Sequence, residues 1–227
     1  MKLFATSDLH GNLDGSDPIG CDLAILAGDI APLEGLDYIS QFHQIAWVRE
    51  VFCDWCASFP DTTICVIPGN HDLFADEGGF NIPWPKNVRF LVDAETEVNG
   101  LRIYGTPWVP RISGCWAFEE KAPGDLRHKF EKIPDGLDIL ITHAPPRIPG
   151  SDIDKSLDVP KSPHYGSPDL LAAIQRIRPG LVFCGHIHSG DHTPCTVRHD
   201  GTVTIVHNVS RLNEDYEPAY EPLVMEL

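Results

Sequence analysis

Short apolar runs of strand length recur along the chain, separated by polar stretches and by segments rich in proline and glycine. Each run is dense in Val, Ile, Leu and Phe, the composition typical of buried β-strands. The runs are KLFAT (2–6), DLAILAG (22–28), TICVIPG (63–69), RIYGTPW (102–108), DILITHA (138–144), LVFCGH (181–186) and VTIVHN (203–208). The pattern predicts a sheet structure built from many short strands.

Two segments between these runs predict helices. Residues 38–58 carry apolar side chains at helical spacing. Residues 168–178 start at Pro168 and are preceded by Ser167, and this pair is typical of a helix N-terminus. Strands that alternate with helices indicate an α/β fold whose sheet is covered on both faces. No repeat or linker divides the chain, so we expect a single domain over residues 1–227.

Two long segments predict surface loops, residues 109–125 and 145–168. The second is dense in Pro, Asp, Ser and Gly, and neither shows a clear periodicity. Loops of this length in a compact domain are often functional. We therefore expect substrate choice to depend on these two loops.

Charge and cysteine content narrow the classes of function. The chain has 17 basic and 33 acidic residues, a net charge of -16, which argues against a surface that follows a nucleic-acid backbone. Its seven cysteines have no disulfide-framework spacing, and the Cys53–Cys56 pair lies in a predicted helix, where we interpret both as packing residues. The start, MKLFATSDLHG, does not resemble a signal peptide or membrane anchor, so we expect a cytoplasmic protein without membrane contact.

Potential metal ligands follow almost every predicted strand. In chain order they are Asp8, His10, Asp29, Asn70, His143, His186 and His188. The carboxyl ends of strands in an open α/β sheet line one rim, so these side chains are expected to converge. Imidazole mixed with carboxylate and amide oxygen suits Mn²⁺, Fe²⁺, Zn²⁺ or Co²⁺. Seven ligands are more than one ion needs. Two ions about 3.5–4 Å apart that share Asp29 would use all seven. This arrangement is suited to displacement at phosphorus.

Five short motifs carry a resemblance to a known family. SDLHG, AGDI, PGNHD, THAPP and GHIH occur in that order between residues 7 and 188. With them the sequence resembles the calcineurin-like metallophosphoesterases. THAPP and the tail HNVSRLNEDYEPAYEP are most similar to a small subgroup that includes brain-expressed metallophosphoesterase-domain proteins and their bacterial relatives. The resemblance implies a four-layer α/β/β/α (α+β) sandwich of two mixed sheets flanked by helices.

The resemblance also implies roles for individual residues. Asp8, His10 and His188 would bind one divalent ion, Asn70, His143 and His186 a second, and Asp29 would bridge them, with Mn²⁺ favoured over Fe, Zn, Co or Ni. His71 would be a catalytic general acid or hydrogen-bond donor to the leaving group. In the protein-phosphatase branch an aspartate supports that histidine, but Pro32 stands at the corresponding position here. His71 must therefore be oriented either by Asp72 or by a backbone carbonyl. For this reason we count Asp72 with the catalytic residues.

The implied activity is hydrolysis of a phosphate ester by a hydroxide that bridges two metal ions. We expect the substrate to be a small organic phosphodiester, with a cyclic nucleotide as one candidate. Three alternatives remain open: a phosphomonoesterase, a nuclease of the same fold, and a metal-binding scaffold for protein interactions. A nuclease would need a basic groove, and a scaffold would show substitutions among the seven ligand positions, all of which are intact.

Five residues near strand ends or in the long loops are candidates for substrate binding. Trp108 and His164 are aromatic residues that would wall a pocket or simply pack, and Arg111 and Arg147 would bind phosphate or remain solvent-exposed. Asn208 ends the last predicted strand and would either reach the rim or shape a turn. A homo-oligomer also remains open, because the helix at 38–58 has apolar positions to spare.

Overall fold

The computed structural model describes residues 1–33, 35–78 and 82–227, and its strands form two sheets. The strands are β1 (Lys2–Thr6), β2 (Leu23–Ala27), β3 (Thr63–Ile67), β4 (Val88–Phe90), β5 (Ala94–Val98), β6 (Leu101–Thr106), β7 (Ile139–Thr142), β8 (Leu181–Cys184), β9 (Cys195–Arg198), β10 (Val203–Asn208) and β11 (Leu223–Glu226). Every predicted run contains one of them. The short or half-exposed strands β4, β5, β9 and β11 were not predicted, because their sequences lack a continuous apolar run.

Both sheets are mixed, as expected from the resemblance. The first has the order β11-β1-β2-β3-β4, in which β1 to β4 are parallel and β11 is antiparallel to β1. The second has the order β5-β6-β7-β8-β10-β9, with β6, β7, β8 and β10 parallel and an antiparallel strand at each edge.

The helical segments cover the outer faces of the two sheets. They are α1 (Tyr38–Trp47), a π-helical segment (Val48–Phe52), α2 (Cys53–Ala57), a 3₁₀ segment (Leu73–Gly78), α3 (Asp125–Phe130) and α4 (Pro168–Ile177). The predicted helix at 38–58 is thus one helical path interrupted by a π-helical turn. In α4 the Ser167 hydroxyl accepts a hydrogen bond from Leu170 N at 3.1 Å, which confirms the predicted N-terminus.

Three apolar clusters create the four layers. Alternate residues of each strand point to opposite faces, so Ile25 packs between the sheets with Ile141 and Phe183, while Leu26 faces outward to the cluster that contains Phe52. On the other side, Leu140 belongs to the cluster formed with α3 and α4. Burial on both faces explains why the central strands read as continuous apolar runs.

Cys53 and Cys56 lie on the buried side of α2, within the cluster that covers the first sheet. Burial raises the pKa of both thiols, that of Cys53 to about 11, so neither is a thiolate at neutral pH. This supports the interpretation of the pair as packing residues. Within the described part of the chain, no helix has the length and apolar character needed to cross a membrane.

Candidate metal centre

The predicted ligands meet where the parallel strands of both sheets end. β1, β2 and β3 contribute residues from the first sheet, and β7 and β8 contribute residues from the second. Because the carboxyl ends of parallel strands lie at the same edge of a sheet, residues far apart in sequence come together. In chain order they are Asp8, His10, Asp29, Asn70, His143, His186 and His188.

One half of the cluster forms around His143. Its Nε2 atom lies 3.0 Å from Asn70 Oδ1 and 3.2 Å from Asp29 Oδ2. The ring of His186 lies beside it, with 5.0 Å between the ring centroids. Burial lowers the pKa of His186 to about 3, so its ring is neutral and keeps a lone pair for a cation.

The other half forms around Asp8. Its Oδ1 atom lies 3.5 Å from His188 Nε2, which in turn lies 3.4 Å from His10 Nε2. Asp29 connects the halves, because its Oδ2 atom lies 3.8 Å from His10 Nε2 as well as next to His143. Burial lowers the pKa of His10 to about 4, and its Nδ1 atom is buried without a hydrogen-bond partner among the described residues.

The donor atoms fit divalent cations. Two trios of ligand atoms each lie within 4.8 Å of one another: those of Asp8, His10 and His188, and those of Asp8, Asp29 and His143. The first trio matches the set that the resemblance implies for one ion. The second contains Asp29 and His143, and Asn70 Oδ1 adjoins it. Two buried carboxylates among imidazole nitrogens form a mixed oxygen and nitrogen site of the kind that binds two divalent metal ions.

Four of these residues have a left-handed backbone conformation, which is uncommon outside glycine. The φ values are +56° at Asp8, +44° at His10, +52° at Asp29 and +70° at His186. Such strained positions cluster at functional sites, where the surrounding structure holds them.

Three glycines of the sequence motifs leave the space that the ligands occupy. A Cβ atom at Gly28 would collide with the ring of His143, one at Gly69 with the carboxylate of Asp29, and one at Gly185 with that of Asp8. Gly28 also has a φ of +103°, a conformation that L side chains rarely adopt. The glycine that precedes each of these ligand motifs is therefore required for close packing between loops.

Backbone carbonyls determine which ring nitrogen of two histidines faces the centre. His143 Nδ1 lies 2.9 Å from Ala27 O, and His188 Nδ1 lies 2.9 Å from Asn213 O. A carbonyl oxygen can only accept, so each Nδ1 carries a proton, and each ring in its neutral form presents the Nε2 lone pair to the candidate metal centre. Asn213 lies in the tail of the chain and has no motif that predicts this role.

In four groups of the centre, pairing with an opposite charge shifts the pKa in the direction opposite to the effect of burial. Burial would raise the pKa of Asp8 and Asp29, but His188 and His143 respectively hold each pKa well below its usual range. Burial would lower the pKa of His143 and His188, but the facing carboxylates outweigh it and raise each pKa to about 9. In the metal-free protein, two protonated imidazoles thus neutralise the carboxylates.

His71, the predicted catalytic histidine, lies next to these ligands. Its backbone N–H donates to Asp29 Oδ1 at 2.8 Å, and its ring contacts the His10 ring edge to face at 5.0 Å between centroids. Gln44 Nε2 donates to the backbone carbonyl of His71 at 2.8 Å, which orients the main chain. Burial lowers the pKa of His71, so its imidazole is neutral at pH 7.

The Asp72 side chain is hydrogen-bonded to the main chain. Its oxygens accept hydrogen bonds from the backbone N–H groups of Gly69, Ala31 and Ile30 at 2.7, 2.9 and 3.1 Å. Burial and then the Asp29 carboxylate raise the pKa of Asp72 to about 7, against these donors. Through these hydrogen bonds Asp72 joins the loop after β2 to the loop after β3, and none of its hydrogen bonds within the described residues goes to the His71 ring.

Two aromatic residues at the site were missed by the sequence analysis. The Trp116 ring lies 4.2 Å from that of His71, centroid to centroid. The Tyr216 ring lies 5.0 Å from that of His10 and 5.2 Å from that of His188, on a residue with φ of +61°. Trp116 falls in the loop predicted to govern substrate choice, and Tyr216 in the tail that carries the subgroup resemblance, but no spacing rule singles out either.

The two aromatic substrate candidates have partners within the protein. Trp108 Nε1 donates to Asp93 Oδ2 at 2.8 Å. His164 Nδ1 lies 2.8 Å from Oδ1 of the fully buried Asp154. Both side chains therefore stabilise the loops in which they lie.

The remaining substrate candidates have different surroundings. Arg111 lines a cavity that opens beside His186, whereas Arg147 is exposed. Asn208 is buried, and its Nδ2 donates to Ile187 O at 2.9 Å, so it holds the turn after β8. Of the five candidates, Arg111 is the one that the structure places in this cavity.

Comparison with known proteins adds independent information. A family model described as calcineurin-like phosphoesterase matches residues 1–190. Human metallophosphoesterase domain-containing protein 1 is 32% identical over 251 residues, covering 100% of this chain and 71% of the human protein. A UPF0046 protein of Caenorhabditis elegans, C25E10.12, is 29% identical over 246 residues, covering 100% of this chain and 81% of its own length.

A solved structure shares the fold. The crystal structure of TT1561 of Thermus thermophilus matches with a TM-score of 0.55 and 16% identity, over 92% of this chain and 90% of that chain. The family match spans the motifs that supply every predicted ligand. The chain therefore belongs to the calcineurin-like phosphoesterase family of hydrolases that act on phosphate esters, and within it to the group of metallophosphoesterase domain-containing protein 1 and the UPF0046 proteins.

Proposed function

We propose that this protein is a phosphodiesterase that hydrolyses a small organic phosphodiester, with cyclic nucleotides among the candidate substrates. The observation that carries the proposal is the pair of overlapping ligand trios built on the buried carboxylates of Asp8 and Asp29. Two adjacent cation sites are the arrangement suited to in-line displacement at phosphorus.

The charges beside the centre favour a diester over a monoester. The cavity next to His186 has one guanidinium, that of Arg111, and one carboxylate, that of Glu214. A phosphate monoester carries a second negative charge, which is best bound by several cationic side chains. A singly charged diester requires less compensation, and the acidic chain, with a net charge of -16, disfavours a polyanionic nucleic acid.

The seven predicted ligands would hold two divalent cations, and we propose Mn²⁺ as the ion that supports activity. Bound there, the cations would supply Lewis acidity at the phosphate oxygens and a water acidic enough to attack phosphorus at neutral pH. The protein's part is to hold the ligands in place, through the Nδ1 contacts of His143 and His188 and the loop contacts of Asp72.

We propose that His71 donates a hydrogen bond to the leaving-group oxygen. Its backbone is held by Asp29 and Gln44, and the Trp116 ring packs against the imidazole. A neutral imidazole has one N–H, which can stabilise negative charge that develops on the departing oxygen. Trp116 restricts the rotation of that ring, so the donor is oriented before the substrate arrives.

We assign Tyr216 to the wall of the centre. Its ring contacts those of His10 and His188, and its backbone N–H donates at 3.0 Å to Asn213 O, the carbonyl that also orients His188. The turn therefore couples the position of the aromatic wall to that of a ligand. The wall limits the access of water to the ligands.

We propose a cytoplasmic location. All seven cysteines are free thiols, and five of them are buried. Buried thiols packed as small apolar groups are typical of proteins kept in a reducing compartment.

The test compares two generic esters. The protein is stripped of metal, reconstituted with Mn²⁺, and assayed against bis-p-nitrophenyl phosphate and p-nitrophenyl phosphate, alongside His143→Ala and the control His128→Ala. His128 is exposed on α3 and is not one of the seven candidate ligands. We expect Mn²⁺-dependent hydrolysis of the diester by the wild type and by His128→Ala, and its loss in His143→Ala.

Two results would contradict the proposal. Faster turnover of the monoester than of the diester would indicate a phosphomonoesterase. Failure to bind Mn²⁺ at all, measured by calorimetry on the stripped protein, would favour an interaction scaffold over an enzyme.

A further inference from the structure

One buried carboxylate of the loop 109–125 was not singled out by the sequence analysis. Glu119 is fully buried, and its Oε1 atom accepts hydrogen bonds from the backbone N–H groups of Ile112 and Ser113, the second at 2.7 Å. Its Oε2 atom accepts from the backbone N–H of Trp116 at 3.0 Å. Both oxygens of the carboxylate therefore hold a single turn, residues 112–116.

The charge of Glu119 suits this task. Burial raises the pKa of the group, but the backbone N–H groups of the turn outweigh burial and hold the pKa below its usual range. Glu119 is therefore ionised at neutral pH. Hydrogen bonds to an ionised acceptor are stronger than those between neutral groups, so the carboxylate holds the turn more firmly than an amide would.

The turn has few buried side chains of its own. Ile112 is 51% exposed, and Ser113 and Cys115 are exposed as well. A segment with few buried apolar contacts has low local stability. The hydrogen bonds to Glu119 therefore restrain the backbone that leads into Trp116.

Glu119 itself is fixed by its neighbours. Val109 N donates to Phe118 O and Glu120 N donates to Val109 O, each at 3.0 Å, so the two flanks of the loop are paired. The buried Phe118 ring packs edge to face on Trp108, with 5.5 Å between the ring centroids. The carboxylate is thus attached to a well-packed part of the loop.

The turn carries two groups to the metal centre. The Trp116 ring lies 4.2 Å from that of His71, centroid to centroid, and Ala117 N donates to Asn70 O at 3.1 Å. Of the aromatic rings that contact the imidazole within the described residues, that of Trp116 is the nearest. The direction of the imidazole therefore depends on where the turn places Trp116.

We propose that Glu119 is a positioning residue for hydrolysis, which holds the Trp116 ring against His71 and so keeps the imidazole N–H directed at the leaving-group oxygen. The proposal rests on the phosphodiesterase function and on the role of His71 proposed above. Pro32 supplies no carboxylate to the imidazole, and none of the hydrogen bonds of Asp72 within the described residues goes to it. The ring is therefore oriented by packing, and a displacement of about 1 Å can lower a rate about 100-fold.

The test compares two diesters that differ in their leaving group, methyl p-nitrophenyl phosphate and methyl phenyl phosphate. The nitro group withdraws charge from the departing oxygen, so phenolate is the stronger base and depends more on a hydrogen-bond donor. The measured quantity is the ratio of kcat/KM for the phenyl ester to kcat/KM for the p-nitrophenyl ester, with the Mn²⁺-loaded protein. His71→Ala should lower this ratio about 100-fold.

Three variants test the positioning role. Glu119→Gln should lower the same ratio about tenfold, because its amide keeps one acceptor oxygen and turns an N–H group toward a backbone donor. Trp116→Ala, at a half-buried position, should lower the ratio by a similar factor. Glu120→Gln is the matched control, since Glu120 Oε1 accepts from Gly124 N at 3.0 Å, outside the turn. It should leave the ratio unchanged.

Two further measurements distinguish positioning from a general loss of structure. In the His71→Ala protein, adding Glu119→Gln should not lower the ratio again, because both changes act on one hydrogen bond. The Mn²⁺ affinity of Glu119→Gln, measured by calorimetry, should equal that of the wild type, since Glu119 accepts from the turn and not from a candidate ligand. If Glu119→Gln does not fold, Glu119→Asp carries the test, because it keeps the charge but ends one methylene short of the turn.

The outcomes separate the proposals. A ratio that is unchanged in Glu119→Gln, or that falls equally in the wild-type and His71→Ala proteins, overturns the positioning role and leaves the phosphodiesterase function standing. A ratio unaffected by His71→Ala overturns the roles of His71 and Glu119 together. Failure of the wild type to hydrolyse either ester overturns the phosphodiesterase function as well.

Discussion

Replacement of Asp72 by alanine tests how the loops of the metal centre are held. The carboxylate of Asp72 accepts hydrogen bonds from the backbone N–H groups of Gly69, Ala31 and Ile30. The residue is fully buried, so Asp72→Ala leaves three donors without their acceptor. Each unpaired buried donor costs about 1–3 kcal/mol, which gives about 3–9 kcal/mol for the three.

The lower end of this range is the better expectation. Asp72→Ala also removes the repulsion between Asp72 and Asp29, and water can enter the space that the carboxylate leaves. We therefore expect a loss of about 3 kcal/mol, a large part of the about 5–15 kcal/mol of a typical domain. A fall in Tm of about 6–12 °C corresponds to this loss.

The assay is urea unfolding of the metal-free protein at pH 7, followed by tryptophan fluorescence, so that metal binding does not contribute to the stability. Asp61→Ala, at an exposed position, is the matched control and should remain within about 0.5 kcal/mol of the wild type. Asp72→Asn keeps one acceptor oxygen and should lie between the two. An Asp72→Ala protein as stable as the control would show that the three hydrogen bonds do not hold the loops.

Four further predictions concern the centre itself. Gly28 has a φ of +103°, and Gly28→Ala would push a Cβ atom into the His143 ring. The variant should bind Mn²⁺ at least about tenfold more weakly, as measured by calorimetry. Unchanged affinity would contradict the packing described. The pKa values of His143 and His188 rise from 6.5 to about 9, so both rings are protonated at pH 7 in the metal-free protein. Mn²⁺ binding at pH 7 should therefore release about two protons. Calorimetry in buffers of different ionisation enthalpy measures this number. Because both pKa values are higher in the folded protein, protonation of these two histidines stabilises the metal-free protein fully below pH 6.5. This contribution to the free energy of unfolding should be lost as the pH rises through about 9. Unfolding measured at several pH values would detect the loss. Tyr216→Ala should lower kcat/KM for the diester about tenfold while Tyr216→Phe retains it, because the ring forms the wall; equal loss in both variants would assign the role to the hydroxyl.

Much of the candidate centre could be predicted from the sequence because its candidate ligands share one position, the end of a strand. Each follows an apolar run that forms a buried strand, and parallel strands end at the same edge whatever connects them. Asp8 and His143 could therefore be placed in one site although 134 residues of chain lie between them. The Ser167–Pro168 start of α4 was predictable for a similar reason, since helix N-termini depend on adjacent residues.

The glycines before the ligands belong to the same motifs, but their purpose appears only in three dimensions. The residues next to Gly69 and Gly185 in the sequence do not indicate why glycine is needed there. In the structure, a side chain at either position would collide with a carboxylate of the centre. Likewise, the edge strands β9 and β11 form because β10 and β1 offer them unpaired backbone groups, not because their own sequences require it.

What the sequence by itself determined is the set of candidate ligands, the central strands and the family of the fold, because these follow from periodicity and from motifs a few residues long. Only the tertiary structure decided the role of Asp72, which bonds to Ile30 across 42 positions of the chain. It also decided the contact of Trp116 with the His71 ring, the contact of Tyr216 with the His188 ring, and the cavity lined in part by Glu214. These features depend on where loops from distant parts of the chain pack, and packing of that kind has no periodic signal in sequence.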